Sequence, residues 1–106
     1  MFVLQIEHEV VNLTGWKKAF DSDPIGREKM GVKQFEIFCR TDNPNYVVIN
    51  LWFELLDHAD NAVIHLRRLW EGLDGKIMHN PQLRILNLIE RQDEIVITLP
   101  ANKSEQ

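Results

Sequence analysis

His8 is the residue of this chain whose type and position most directly suggest chemistry. It lies between Ile6 and Val10 in a segment where apolar and polar residues alternate, so it falls on the drier side of a predicted strand. A buried imidazole must satisfy its ring nitrogens, and small changes in burial alter its charge near neutral pH. Two interpretations follow: a catalytic group that transfers a proton in a pocket, or a core histidine with satisfied hydrogen bonds and no chemistry.

Other chemical motifs are sparse in the sequence. The four histidines, His8, His58, His65 and His79, include no pair at a tight metal-ligand spacing, so we expect no bound metal. Serine catalysis is not expected either, since Ser22 adjoins a predicted turn and Ser104 lies in the tail. No glycine-rich phosphate loop or dinucleotide fingerprint is present.

Large apolar side chains mark a possible ligand pocket. By residue type they belong to the core, but the space between helices and a sheet is also where such a fold holds an apolar ligand. If this chain has a pocket, we expect its lining to include Trp16, Phe20, Met30, Trp70 and His79.

Hydrophobic periodicity predicts the elements that position these residues. Strands are expected at 2–11, 32–41, 46–55 and 83–91, and amphipathic helices at 13–20 and 57–73, with a short helix at 25–30. Asn12 or Thr14 could cap the first helix and Asp57 the longer one. Pro24 could open the short helix and Gly31 could close it. Residues 42–45 read as a hairpin turn, and residues 76–82 as a connection.

The order of these elements predicts an α+β fold of the ferredoxin-like βαββαβ type, with a four-stranded antiparallel sheet. Residues 1–91 would form this domain, and residues 92–106 a C-terminal extension. Within the extension, residues 95–99 resemble a fifth strand, which could pair with the edge of its own sheet or with a partner's sheet. A disordered tail is expected after it.

The third and fourth predicted strands carry apolar residues on both faces, which two helices cannot cover. Val48 and Trp52 lie opposite the Val47 side of the third strand, and Leu86 and Leu88 opposite the Ile85 side of the fourth. Strands buried on both faces show this pattern. The partner we expect is therefore a second copy of the chain, a homodimer, because a monomer would expose a large apolar patch.

Composition and charge also limit which classes of partner, and which cellular compartment, we expect for this protein. The 106 residues carry 12 Lys and Arg against 16 Asp and Glu, a formal charge of -4, so we expect no nucleic-acid binding. No apolar run approaches the roughly 20 residues that cross a bilayer, and the N-terminus lacks the features of a secretory signal. We therefore expect a cytoplasmic protein without membrane contact. A single cysteine excludes an intrachain disulfide.

Three segments resemble a known family. Residues 16–32 resemble the stretch "WK-x-x-F-D-x-D-P-x-G-R … G-V" of small bacterial proteins, residues 42–47 their "DDPNYV" turn, and residues 80–85 their "NPQARI" lead into the last strand. These proteins belong to the dimeric α/β-barrel superfamily, which includes antibiotic-biosynthesis-monooxygenase-like and stress-responsive barrel proteins. The resemblance spans residues 2–91 and implies a homodimer whose two sheets close into a barrel.

The resemblance also implies two kinds of activity. Some relatives are cofactor-independent monooxygenases that act on polycyclic aromatic compounds, and others degrade haem. The haem-degrading type carries a Trp on its second helix and a His soon after, as Trp70 and His79 do, but it has an Asn on the first strand where this chain has His8. This difference argues against haem, and we expect no cofactor.

Two functions therefore stay open. The first is a dimeric barrel that binds a hydrophobic or aromatic small molecule, with monooxygenase-like chemistry at His8. The second is a dimeric stress-response or accessory module without catalysis, whose interior is only core. An open pocket that reaches His8 would favour the first, and an interior filled by Trp16, Phe20 and Trp70 would favour the second.

Overall fold

The computed structural model describes residues 1–72 and 78–92. The expected fifth strand at 95–99 and the tail after it lie outside these residues. The elements in chain order are β1 (Phe2–Val10), α1 (Leu13–Asp21), β2 (Val32–Cys39), β3 (Tyr46–Phe53), α2 (Leu56–Glu71) and β4 (Met78–Asn87).

The four strands form one antiparallel sheet in the order β2-β3-β1-β4. Strand β1 is central, since it pairs with β3 on one side and β4 on the other. This arrangement confirms the predicted ferredoxin-like α+β fold. It also places His8 on an interior strand of the sheet, opposite Val47 of β3.

The core lies between the helices and one face of the sheet. The alternation expected for β1 is confirmed, because Leu4, Ile6 and Val10 are buried on the same face as His8. Strand β3 adds side chains such as Phe53 to this face. The two helices contribute Trp16, Ala59, Ala62, Leu66 and Trp70. Helical spacing brings these five residues to the faces that meet the sheet.

Helix α1 begins as the sequence predicts. Of the two candidate caps, the structure selects Asn12, whose side-chain Oδ1 accepts a 2.7 Å hydrogen bond from the backbone N–H of Gly15. This satisfies one of the amides that a helix start leaves without a partner. The cap fixes the position of Trp16, the buried residue of the helix.

The prediction of a short helix at 25–30 is wrong, because this segment is a series of turns. Asp23 and Gly26 have φ values of 54° and 67°, which lie outside the right-handed helical region. Asp23 stabilises the turn by accepting a 2.9 Å hydrogen bond from the backbone N–H of Arg27. Gly31, which follows with φ at 95°, turns the chain into β2.

Two further local predictions need correction. The N-cap of α2 is Leu55, which makes no side-chain capping bond, and Asp57 instead lies in the first turn, where its charge complements the helix dipole. The predicted connection at 76–82 is largely strand, because β4 begins at Met78 and ends at Asn87. Pro81 is tolerated there since β4 is an outer strand of the sheet.

A β-bulge interrupts the pairing of β1 with β4 at His8. The register runs Glu7 to Gln82 and then Glu9 to His79, so two residues of β4 lie opposite His8 alone. One of them, Asn80, has a φ of 50°. Bulges of this kind are common beside functional sites, where they redirect side chains.

The far face of the sheet, opposite the helices, is less apolar than the sequence suggests. Hydrogen bonds link Arg84 to Gln5 and Glu7, Gln5 to Asn50, Asn50 and Trp52 to Glu36, and Tyr46 to Glu7. The expectation of strands dry on both faces is therefore wrong over the centre of the sheet. The reason is that polar residues of neighbouring strands lie side by side in the observed register, which the sequence of a single strand does not show. Apolar residues remain on this face, with Phe38 51% and Leu86 44% exposed.

Candidate functional site

A cavity of about 90 Å³ lies between the helices and the sheet. Its floor comes from β1 and β3, its walls from α1 and α2, and one edge from the turns after α1. The lining residues are Ile6, His8, Trp16, Ala19, Phe20, Pro24, Ile25, Arg27, Ile49, Leu51, Leu66, Leu69 and Trp70. The sheet residues among them are buried, whereas Phe20, Ile25 and Arg27 are partly exposed and lie where the cavity reaches the surface. The interior is thus not filled by its aromatic side chains.

His8 is the buried polar residue of this cavity, with 3% of its surface exposed. Its Nδ1 lies 3.1 Å from the carbonyl oxygen of Glu9. A carbonyl only accepts, so Nδ1 carries the proton and Nε2 holds the lone pair in the neutral ring. No described residue forms a hydrogen bond with Nε2. The ring of Trp16 meets the imidazole edge-on, with 5.9 Å between centroids, and limits its rotation.

Burial also sets the charge of His8. Desolvation lowers the pKa of the imidazole below its ordinary value of 6.5, and the hydrogen bond to Glu9 opposes this only in part. The ring is therefore neutral at pH 7. A neutral imidazole with an unprotonated Nε2 can accept a proton from a bound molecule, which is the role of a general base.

This burial predicts that stability falls on acidification. Between the lowered folded-state pKa of His8 and about 6.5, the unfolded chain binds a proton that the folded chain does not. Stability present above about pH 6.5 is therefore lost progressively as the pH falls toward the folded-state pKa. Urea midpoints at about pH 7.5 and about pH 5.5 measure the loss. We expect the loss to shrink in His8→Asn and to persist in the exposed-site control His65→Asn. An equal loss in all three proteins would contradict the assignment to His8.

The structure brings together some of the expected pocket residues and separates others. Trp16, Phe20 and Trp70 line the cavity beside His8. Met30 packs against the core but is not among the lining residues. His79 is also not among them, because β4 begins earlier than expected and places it opposite Glu9. There it lines a separate polar hollow, whose other residues are Glu9, Arg40, Asn43, Tyr46, Asn80 and Gln82.

Arg27 is a charged lining residue that the sequence did not indicate. Its guanidinium stacks 4.0 Å from the centre of the Phe20 ring and 4.9 Å from that of Phe35. Nη1 donates a 2.8 Å hydrogen bond to the carbonyl of Phe20 and lies 3.4 Å from Asp23. The available signal was the spacing of Asp23 and Arg27 around Pro24 and Gly26, which ties the arginine back to the end of α1.

Other sites are not evident in the described part of the chain. Among residues 1–72 and 78–92, no group of three or more His, Cys, Asp or Glu side chains is placed to hold a metal ion. Neither described helix has the length and apolar character needed to cross a membrane. The cavity beside His8 is therefore the candidate site that we consider further.

Comparison with known proteins places this geometry in context. No protein-family model and no curated protein matches the sequence. Solved structures do match. A candidate antibiotic biosynthesis monooxygenase from Deinococcus radiodurans aligns with a TM-score of 0.71 and 7% identity, over 90% of this chain and 99% of that one. The chain has the fold of the antibiotic biosynthesis monooxygenases.

Two further solved structures match the fold of this chain. SnoaB from Streptomyces nogalater, described as a cofactor-independent oxygenase and solved as a mutant, gives a TM-score of 0.70 at 10% identity, covering 88% of this chain and 97% of that chain. Protein Atu4242 from Agrobacterium tumefaciens gives 0.57 at 18% identity, covering 82% and 92%. The resemblance noted in the sequence is thus confirmed at the level of the fold.

Proposed function

We propose that this protein binds a small aromatic molecule in the cavity between helices and sheet, and that His8 removes a proton from it in a cofactor-independent, monooxygenase-like reaction. The observation that carries the proposal is an open apolar cavity that contains one buried, neutral histidine with an unprotonated Nε2. The description of SnoaB as a cofactor-independent oxygenase supports the choice of reaction.

The walls of the cavity favour a planar aromatic ligand. Trp16 and Phe20 lie 5.3 Å apart with a 31° tilt between their rings, and Trp70 belongs to the same lining. Aromatic side chains pack well against other rings in offset or edge-on geometry. The volume is below the roughly 300–1,000 Å³ typical of drug-sized ligands. A ligand with several fused rings would therefore extend past Phe20 and Ile25 toward solvent.

The reaction needs a substrate that supplies its own electrons. A monooxygenase places one atom of O₂ in the product and releases the other as water, which requires two further electrons and two protons. Without a cofactor these come from the substrate, as in a quinol that leaves as a hydroxyquinone. Proton removal by His8 would raise the electron density of the ring, and the apolar walls would keep bulk water from the reacting atoms.

Ligand binding can be tested by tryptophan fluorescence with 2-naphthol as the probe. Trp52 lies on the far face of the sheet, so a Trp52→Phe background leaves the two cavity tryptophans as reporters. In this background we expect saturable quenching. Ala19→Leu adds bulk to the lining and should weaken binding by about tenfold or more, since overpacking costs about 1–3 kcal/mol.

Lys18→Leu is the matched control, because Lys18 is exposed on the same helix and is not among the lining residues. It should leave the affinity for 2-naphthol unchanged. Absence of saturable quenching, or equal weakening by the two substitutions, would contradict binding in this cavity.

We also propose that the working unit is a homodimer that pairs through the far face of the sheet. The exposed apolar side chains of Phe38 and Leu86 on this face support it, because contact with a second copy would remove both from water. The polar network around Gln5 and Arg84 would then lie at the interface. Light scattering at micromolar concentration should give twice the chain mass of 12.5 kDa. A mass equal to that of one chain would contradict the dimer.

A further inference from the structure

We propose that the aromatic ligand of this cavity carries a carboxylate, and that Arg27 holds this group at the cavity mouth. The proposal rests on the function proposed above and adds the substrate class: an aromatic acid. Its basis is the juxtaposition of one guanidinium with an otherwise apolar lining and a neutral histidine.

Arg27 is positioned for recognition by contacts that use only part of its guanidinium. The planar group lies against the Phe20 and Phe35 rings, and Nη1 is occupied by the Phe20 carbonyl. Within residues 1–72 and 78–92, no hydrogen bond engages Nε or Nη2. The N–H groups on these two atoms form the side-on pair that binds both oxygens of a carboxylate. Stacking and the Nη1 hydrogen bond restrict the motion of the guanidinium. The Arg27 side chain therefore loses little conformational entropy when a ligand binds.

The charges around the cavity also favour an anion. Among the described lining residues, Arg27 carries the one permanent charge, and His8 is neutral. Asp23, the acidic neighbour of Arg27, does not line the cavity; it borders a separate surface hollow, which Arg27 also lines. The arginine side chain is 18% exposed and that of Asp23 is 38% exposed. The cation, which lies between the cavity and this hollow, is therefore drier than its partner, and its attraction for an anion is less screened than that of a fully exposed charge.

The size of the cavity agrees with binding at its mouth. About 90 Å³ accommodates little more than the ring portion of a ligand, so a substituent must project toward the partly exposed rim where Arg27 lies. A carboxylate at this point keeps contact with water on one side and pairs with the guanidinium on the other. This arrangement avoids the large cost of burying an unpaired charge.

A matched pair of probes separates the carboxylate from the ring. We would titrate 2-naphthoate and the neutral 2-naphthamide into the Trp52→Phe background by fluorescence. We expect naphthoate to bind about tenfold or more tightly than naphthamide, as a charge-assisted hydrogen bond would require. This preference should decline with added salt.

Variants then assign the preference to Arg27. Arg27→Met should abolish the preference, so that naphthoate and naphthamide bind with affinities equal within about twofold. Arg27→Lys should retain part of the preference, because the charge remains but the paired N–H groups of the guanidinium are lost. Lys33→Met is the control, since Lys33 borders the outer hollow and pairs with Glu54. It should behave as the parent protein does. If Arg27→Met proves unfolded, Arg27→Lys and the salt dependence still decide the question.

Three results would overturn the proposal in distinguishable ways. Equal affinity for both probes would exclude carboxylate recognition and leave the aromatic cavity standing. Equal weakening of both probes by Arg27→Met and Arg27→Lys would make the arginine a structural clamp of the turn. Failure of both probes to bind would contradict the aromatic site itself, and with it this inference.

Discussion

A His8→Asn variant is expected to turn over a cavity-bound quinol about 100- to 10,000-fold more slowly than the parent protein, the range typical of losing a general base. The asparagine amide can replace Nδ1–H as donor to the Glu9 carbonyl, so the local hydrogen bond is retained. The variant lacks the lone pair of Nε2. Binding of the ring should change little, because the aromatic walls are intact.

The measurement uses 1,4-naphthohydroquinone and ¹⁸O₂. Monooxygenation gives 2-hydroxy-1,4-naphthoquinone with one labelled oxygen, and the second labelled atom leaves as water. Spontaneous oxidation instead gives the unlabelled quinone and peroxide, so mass spectrometry separates the two. Equal rates of label incorporation in parent and variant would remove His8 from the chemistry. A parent protein that incorporates no label would contradict oxygenase activity toward this quinol.

Gly31→Ala is expected to cost about 2–5 kcal/mol of folding stability, the sum of backbone strain and overpacking. Gly31 has a φ of 95°, which L-residues rarely adopt. A Cβ at this position would also overlap the imidazole of His58, with Nδ1 nearest and Cγ at 2.9 Å. Because His58 belongs to α2, the substitution pushes the turn segment that carries Arg27 away from that helix.

Gly26→Ala is the matched control for this effect. Gly26 has a φ of 67°, but an added Cβ would meet nothing nearer than Lys29 Cβ at 4.0 Å. The control therefore carries backbone strain alone and should cost about 1–2 kcal/mol. Urea denaturation measures both changes. Similar losses in the two variants would show that the contact between Gly31 and His58 does not constrain the fold.

The strands and helices could be predicted because their patterns are periodic. In β1, residues such as Leu4 and Ile6 alternate with polar residues, and in α2 the buried residues recur at helical spacing. The turns at 25–30 could not be predicted in this way. Asp23 and Gly26 adopt positive φ values, which the interpretation of Pro24 as a helix start does not anticipate.

The sequence predicted those residues of the candidate site whose positions depend on one strand or one helix alone. His8 and Trp16 follow from the periodicity of one strand and one helix, and the structure places both at the cavity. His79 was expected nearby, but its place depends on the bulge in the pairing of β1 with β4. Arg27 was missed since its role depends on a turn that folds back onto the Phe20 ring.

The polar centre of the far face was a second limit of sequence reasoning. Trp52 and Asn50 both lie on β3, and each donates a side-chain hydrogen bond to Glu36 on the neighbouring strand β2. These bonds hold the pKa of the Glu36 carboxyl below its usual value and keep it charged. Such pairing depends on strand register, which single strands do not reveal. The run of apolar residues in β3 therefore predicted a less polar far face than the structure shows.

We propose a neutral His8, with Nε2 unprotonated, in a cavity that binds an aromatic ligand. Nitrogen-15 NMR of the imidazole at pH 7 tests it directly, with the His8 signals assigned from His8→Asn. We expect a protonated Nδ1, an unprotonated Nε2, and a saturable shift of the Nε2 signal when 2-naphthol is added. A protonated Nε2, or an Nε2 signal unmoved by saturating ligand, would contradict it.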